Sequence, residues 1–128
     1  MQTMSAKILL VEDNEQNRYL ATFILEKAGH QVIHAHTGRE ALEIADHERP
    51  DLVLMDIQMP EMDGYEAAQR LRTMAGFEQI PVVAVTSYAM AGDQEKAMKL
   101  GFIGYIEKPI STETFLADIG RFLTAPSP

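Results

Sequence analysis

Five short apolar runs punctuate the chain, and between them apolar residues recur every three or four positions. The runs are Ile8-Leu9-Leu10-Val11, then Val32-Ile33 within a more polar stretch ending His34-Ala35-His36. Leu52-Val53-Leu54-Met55, Val82-Val83-Ala84-Val85 and Phe102-Ile103-Gly104-Tyr105-Ile106 follow. Continuous apolar runs of this length suit strands covered on both faces, as in a parallel sheet. The intervening stretches predict helices. In the first, Leu20, Phe23, Ile24 and Lys27-Ala28 mark the apolar stripe and Gly29 stops the helix. In the second, Thr37 caps, Glu40 completes a capping box, Leu42 and Ile44-Ala45 turn inward, and Pro50 lies beyond the end. A third opens at Asp63 or Gly64 and carries Ala67, Ala68 and Leu71. The fourth runs roughly from Gly92 to Leu100 and stops at Gly101. A fifth starts near Ser111 and packs Phe115, Leu116, Ile119 and Phe122-Leu123, leaving Thr124 to Pro128 as a frayed tail.

Strand and helix thus alternate five times, with no internal repeat, linker or low-complexity segment. The expected fold is α/β: a doubly wound, five-stranded parallel sheet with five helices on its two faces. The strand around Val32 is the most polar and belongs at an edge. That matches the flavodoxin-like strand order 2-1-3-4-5, in which ligands bind beyond the carboxyl ends of the strands, at the switch between strands one and three.

Composition narrows the picture. With 128 residues and 46% of them apolar, the chain fits one domain with a real core, expected over about residues 6–123 within 1–128. No apolar run approaches the ~18 residues of a membrane span, and no signal-peptide pattern opens the chain. The sequence contains no cysteine, which excludes disulfides and thiol chemistry and suits a cytoplasmic protein. A formal net charge of -8 argues against nucleic-acid binding and fits a domain that attracts a divalent cation or a basic partner.

The predicted topology selects the residues that matter. Glu12-Asp13 follow strand one, Asp56 follows strand three, Thr86 follows strand four and Lys108 comes just after strand five, so all reach one end of the sheet. Neighbouring strands lie about 4.8 Å apart, so the acids must crowd. Crowded carboxylates raise one another's pKa or recruit positive charge. Lys108 supplies one such charge, and an all-oxygen site favours Mg2+ over zinc or copper. A carboxylate such as Asp56 can act as a nucleophile toward a phosphoryl group, with Thr86 and Lys108 placed to hold the phosphoryl oxygens. Each residue also has a plainer reading: Asp13 or Asn14 as a helix cap, Asp56 as a turn acid, Thr86 as a turn hydroxyl, Lys108 as a surface charge. Their joint arrival at the ends of four parallel strands favours the chemical reading.

At these residues the chain resembles the receiver domains of two-component response regulators, from about Ala6 to Leu123. The motifs are Leu10-Val11-Glu12-Asp13-Asn14, Leu54-Met55-Asp56-Ile57-Gln58-Met59-Pro60, Met62-Asp63-Gly64, Val85-Thr86 and Lys108-Pro109. The resemblance implies phosphoryl transfer onto Asp56 from a histidine kinase or histidine phosphotransfer protein. It implies Mg2+ held by Asp13, Asp56 and the backbone carbonyl of Gln58, with Glu12 binding directly or through water. Thr86 and Lys108 would sense the phosphoryl, the Lys108-Pro109 bond would be cis, and Tyr105 would be the switch aromatic. Taken alone, Tyr105 is equally an edge-strand packing residue. Gln58, Ser87 and Tyr88 would border the phosphoryl, and the bulk of Tyr88 is expected to hinder the hydrolytic water and prolong the phosphorylated state.

In this family the first helix, including Asn17 and Arg18, and the loop after Lys108 meet the phosphodonor; Arg18 alone reads as a solvated charge. The surface of the fourth helix, fifth strand and fifth helix meets the downstream protein. A narrower resemblance, in Glu12-Asp13-Asn14-Glu15 with Asn17 and in Thr86 to Asp93, is to DivK-type stand-alone receivers and the receivers of hybrid histidine kinases. Both relay signals by protein contact, and no DNA-binding or enzymatic output domain is expected within this stretch. The expectation is therefore a switch that acts only on its own phosphoryl group and is not a turnover enzyme, with no nucleic-acid or membrane partner. Aspartyl-phosphate phosphatases carry a D-x-D motif where this chain reads Glu12-Asp13-Asn14, and a flavin or nucleotide module needs a glycine-rich loop after strand one. A receiver that works by binding alone does not need the complete acidic set. His30, His34, His36 and His47 read as surface or edge histidines; His34 and His36 alternate on a strand and could share a face, but no acid partner is evident for them.

Overall fold

The computed structural model describes residues 5–56, 64–74, 80–86, 99, 102–107 and 110–124. Five strands, β1 (Lys7–Val11), β2 (Gln31–Ala35), β3 (Leu52–Asp56), β4 (Val82–Thr86) and β5 (Gly104–Glu107), form one parallel sheet in the order β2-β1-β3-β4-β5. Four helices fall among the described residues: α1 (Glu15–Lys27), α2 (Gly38–Glu48), α3 (Gly64–Arg72) and α4 (Thr112–Thr124). The helix expected from Gly92 to Leu100 lies outside them but for Lys99.

Alternate residues of each strand enter different layers, because successive side chains point to opposite faces of a sheet. Leu9, Val11, Val53, Met55, Val82 and Ala84 pack with Ala41 and Ala45 of α2 and Ala67, Ala68 and Leu71 of α3. Ile8, Leu10, Leu52, Leu54, Val83 and Val85 pack with Ala21, Ile24 and Leu25 of α1 and Phe115, Ile119 and Phe122 of α4. Both faces are therefore covered, which is why the central strands read as unbroken apolar runs. All five residues of β3 are buried, whereas edge strand β2 leaves Gln31 and His34 exposed. At the opposite edge, Gly104 lies so close to the Phe122 ring that a Cβ there would collide with it.

Several local expectations need correction. The inward stripe of α1 is Ala21, Ile24 and Leu25, while Leu20 and Phe23 are exposed. Both sets satisfy helical spacing, and the sheet selects the face with the smaller side chains. Thr37 does cap α2, its hydroxyl accepting from the Glu40 amide at 3.0 Å. The Glu40 carboxylate, however, accepts from the His36 amide at 3.3 Å and lies 3.6 Å from the His36 ring, so His36 has an acid partner after all. The fifth apolar run enters the ladder only at Gly104, after Phe102 and Ile103. Thr124, expected in the tail, still belongs to α4, and Ser111 precedes that helix with its carbonyl accepting from the Phe115 amide at 2.9 Å.

Candidate functional site

The strand register fixes one rim of the sheet. Val11 pairs with Met55, Asp56 with Val85, and Thr86 with Glu107. Since the strands run in the same direction, Glu12 and Asp13 leave β1 on the rim where Asp56 ends β3 and Thr86 ends β4. Glu12 and Asp56 are each only 4% exposed, whereas Asp13 faces solvent. Oxygens of the three carboxylates lie within 4.8 Å of one another. At that spacing two ionised carboxylates such as Glu12 and Asp56 repel by about 3 kcal/mol at an effective dielectric near 20. A site that concentrates this much like charge gains from a cation.

The loop carrying two of these acids is held by bonds of its own. The Glu12 amide donates to the Ala35 carbonyl of β2 at 3.1 Å, and the Asn14 amide donates to Glu12 Oε2 at 3.2 Å. Asn14 settles the choice of cap: its backbone is extended and its Oδ1 accepts from the Asn17 amide at 2.9 Å. The cap starts α1 at the acidic rim, so the positive end of the helix dipole faces the carboxylates. Arg18, one turn further on, reaches back and donates from Nη1 to the Glu12 carbonyl at 3.0 Å. That contact depends on the path of the turn, and helical periodicity carries no sign of it.

Arg18 also bears on β2. His34, whose Nε2 lies 2.8 Å from the Thr22 hydroxyl of α1, has its pKa lowered by partial burial first and by the Arg18 charge second. Glu26 acts in the opposite direction and His36 in the same one. At the far end of α1, the Ala6 amide donates to His30 Nδ1 at 3.1 Å, and partial burial lowers the His30 pKa.

The donor set suits a hard divalent ion. Carboxylate oxygens are the ligands that Mg2+ prefers, and opposite ligands in its octahedron are about 4.2 Å apart, twice a bond of about 2.1 Å. The 4.8 Å envelope of Glu12, Asp13 and Asp56 is slightly wider. Three carboxylate oxygens within that reach are a donor set that could hold such an ion.

Of the other expected site residues, Thr86 is placed by its backbone at the end of β4. Tyr105 stands beside Ala84 in the β4–β5 ladder, half-buried against the layer that α2 and α3 cover. Gln58, Ser87, Tyr88, Lys108 and Pro109 lie outside the described residues.

Comparison with known proteins agrees with this arrangement. A family model described as the response regulator receiver domain matches residues 8–120. The polar-differentiation response regulator DivK of Brucella anthropi is 42% identical over 120 residues, covering 94% of this chain and 98% of the relative. Among solved structures, chemotaxis protein CheY4 of Vibrio cholerae superposes with a TM-score of 0.88 at 30% identity, covering 93% of this chain and 99% of that one. The receiver domain of a Pseudomonas aeruginosa sensor histidine kinase, solved with a magnesium ion coordinated in its active-site cleft, gives a TM-score of 0.87 at 30% identity. That match covers 95% of this chain and all of the other. With the family model spanning most of the sequence and the acidic rim in place, the chain belongs to the response regulator receiver domains of two-component signalling.

Proposed function

We propose that Asp56 is the phosphoacceptor of this receiver and that Glu12, Asp13 and Asp56, with the backbone carbonyl of Gln58, hold Mg2+ during the transfer. Receiver domains as a family take a phosphoryl group from histidine kinases and act on downstream partners. The observation that carries the assignment to Asp56 is its position: a buried carboxylate at the end of the central strand, within 4.8 Å of two further acids. In the transfer an Asp56 oxygen attacks phosphorus, the phosphorus–nitrogen bond to the donor histidine breaks, and its electron pair returns to the imidazole. A bound Mg2+ would neutralise the phosphoryl oxygens and the acids around them, allowing two anions to meet.

Thr86 and Lys108 are the proposed sensing pair. Thr86 ends the strand beside Asp56, and Glu107, the residue before Lys108, is its ladder partner. Tyr105 is the proposed aromatic that responds to Thr86, and Gln58, Ser87 and Tyr88 the residues that border the phosphoryl. A cis bond before Pro109 would direct Lys108 toward the rim. The reading is of one domain over residues 1–128, with its core about 6–123, acting as a cytoplasmic switch that turns over only its own phosphoryl group. Among the described residues no helix is long and apolar enough to cross a membrane.

Two surfaces follow for partners. The outer side of α1, which starts at the acidic rim and exposes Tyr19, Leu20 and Phe23, is with the loop after Lys108 the proposed contact for the histidine kinase or phosphotransfer protein. The face made by the helix expected from Gly92 to Leu100, β5 and α4 is the proposed contact for the downstream protein. Incubation with a small-molecule phosphodonor and Mg2+ tests the central assignment. Mass spectrometry is expected to find one labile phosphoryl group on the wild-type chain and none on Asp56→Asn. Equal labelling of the two would overturn the assignment, and labelling that persists after chelation of Mg2+ would remove the metal from it.

A further inference from the structure

We infer that Arg18 is a positioning residue of the acidic site, fixing the Glu12-Asp13 main chain through the Glu12 carbonyl so that both carboxylates are aimed before a cation arrives. This rests on the reading of Glu12, Asp13 and Asp56 as the metal-binding set.

Glu12 and Asp13 lie on the short link between β1 and α1, and two kinds of bond hold that link. The Glu12 amide is anchored to β2 through Ala35, and Asn14 closes the link against the Glu12 carboxylate and against the first turn of α1. The Glu12 carbonyl is held by Arg18 at 3.0 Å, from a side chain six residues further on. A carbonyl fixed in this way also fixes the peptide plane it shares with the Asp13 amide, because the peptide unit is planar. That plane sets where the Asp13 Cα lies, so a loosened Glu12 carbonyl frees the point from which the Asp13 side chain departs.

The setting of Arg18 agrees with an inward role. Its successors Tyr19 and Leu20 are exposed, whereas Arg18 is half-buried. Its charge is also felt at His34 on β2, whose pKa it helps to lower after partial burial. A guanidinium keeps its proton at any physiological pH and is more weakly hydrated than an ammonium, so it can hold a carbonyl in a partly buried place where lysine would keep its water. A permanent positive charge one turn into α1 also adds to the positive end of the helix dipole and opposes the mutual repulsion of the acids.

A role in meeting the phosphodonor gives a different result from this one, because a small-molecule phosphodonor has no docking surface. The test compares the wild-type chain with Arg18→Met and Arg18→Gln, which keep much of the stem and remove the charged donor. Mg2+ affinity is measured by calorimetry, labelling by a small-molecule phosphodonor at sub-saturating Mg2+, and amide exchange at Asn14 without metal. Both variants are expected to bind Mg2+ about tenfold more weakly, equivalent to about 1.4 kcal/mol. Labelling is expected to slow in proportion and to recover as Mg2+ is raised. Exchange at Asn14 is expected to quicken at least threefold or so, as the link loosens locally. Arg18→Lys is expected to recover part of the affinity. If either folded variant matches the wild type in Mg2+ affinity and in Asn14 exchange, Arg18 does not position the site. Failure of the wild type itself to bind Mg2+ or be labelled would instead sink the reading of the acidic set.

Discussion

Helices α1 and α4 cover the same face of the sheet and are each 13 residues long, yet they treat their apolar residues differently. In α4 the large apolar side chains go inward: Phe115, Ile119 and Phe122 are buried, and Arg121, paired with Asp118 at 3.2 Å, lies over the Phe122 ring. In α1 the inward residues are Ala21, Ile24 and Leu25, while Tyr19, Leu20 and Phe23 are 73%, 41% and 53% exposed. The Tyr19 and Phe23 rings stack with centroids 6.5 Å apart, and the Lys27 ammonium lies 5.7 Å from the centre of the Phe23 ring. One helix spends its apolar surface on folding and the other keeps part of it outside. A stacked, exposed aromatic patch is the kind of surface a partner helix can cover.

The contrast can be broken most forcefully on the α4 side. Phe115→Ala leaves a cavity under α4 and is expected to lower unfolding free energy by about 3–5 kcal/mol, measured by urea denaturation. A loss under about 1 kcal/mol would mean that α4 is not held by its buried face.

Acid should act on α1 and spare α4. Two hydrogen bonds that join α1 and its exit to the sheet involve histidines, His34 with Thr22 and His30 with the Ala6 amide. Both histidines have folded-state pKa values below the ordinary 6.5, so the folded state prefers them neutral. Their contribution is fully present above about pH 6.5 and is lost as pH falls below it, through the lowered values. The urea midpoint should therefore drop from pH 7.5 to pH 5.5, and less so in a His30→Asn, His34→Gln double variant. An identical drop in that variant would assign the effect to other groups.

The smallest expected change in stability belongs to the exposed patch. Phe23→Ser should alter unfolding free energy by less than about 0.5 kcal/mol while slowing transfer from a protein phosphodonor several-fold. Undiminished transfer would leave the aromatic patch without its proposed partner.

Much of this was legible in the sequence because the central strands are buried on both sides. Unbroken runs such as Leu52–Met55 announced a parallel sheet, and a parallel sheet by itself gathers Glu12, Asp13, Asp56 and Thr86 at one rim. The helices were harder. In α1, Leu20, Phe23 and Ile24 have the spacing of an inward stripe, and so do Ala21, Ile24 and Leu25; spacing alone cannot separate a buried face from an exposed one when both are apolar. Glu40 had the position for a capping box, but His36 offered its carboxylate both an amide and a ring. Arg18 read as a solvated charge because its bond to the Glu12 carbonyl arises from the turn of the chain at Asn14.

The division of each strand between two packing layers restricts how such a chain can lengthen. Adding or removing one residue just before β3, with the strand's place in the sheet kept, would send Val53 and Met55 toward α1 and α4, and Leu52 and Leu54 toward α2 and α3, reversing which spaces must be filled. The same slip would rotate the acid at the strand's end by half a turn relative to Glu12. Length variation should therefore accumulate between elements, while the strands keep their parity as strictly as a reading frame.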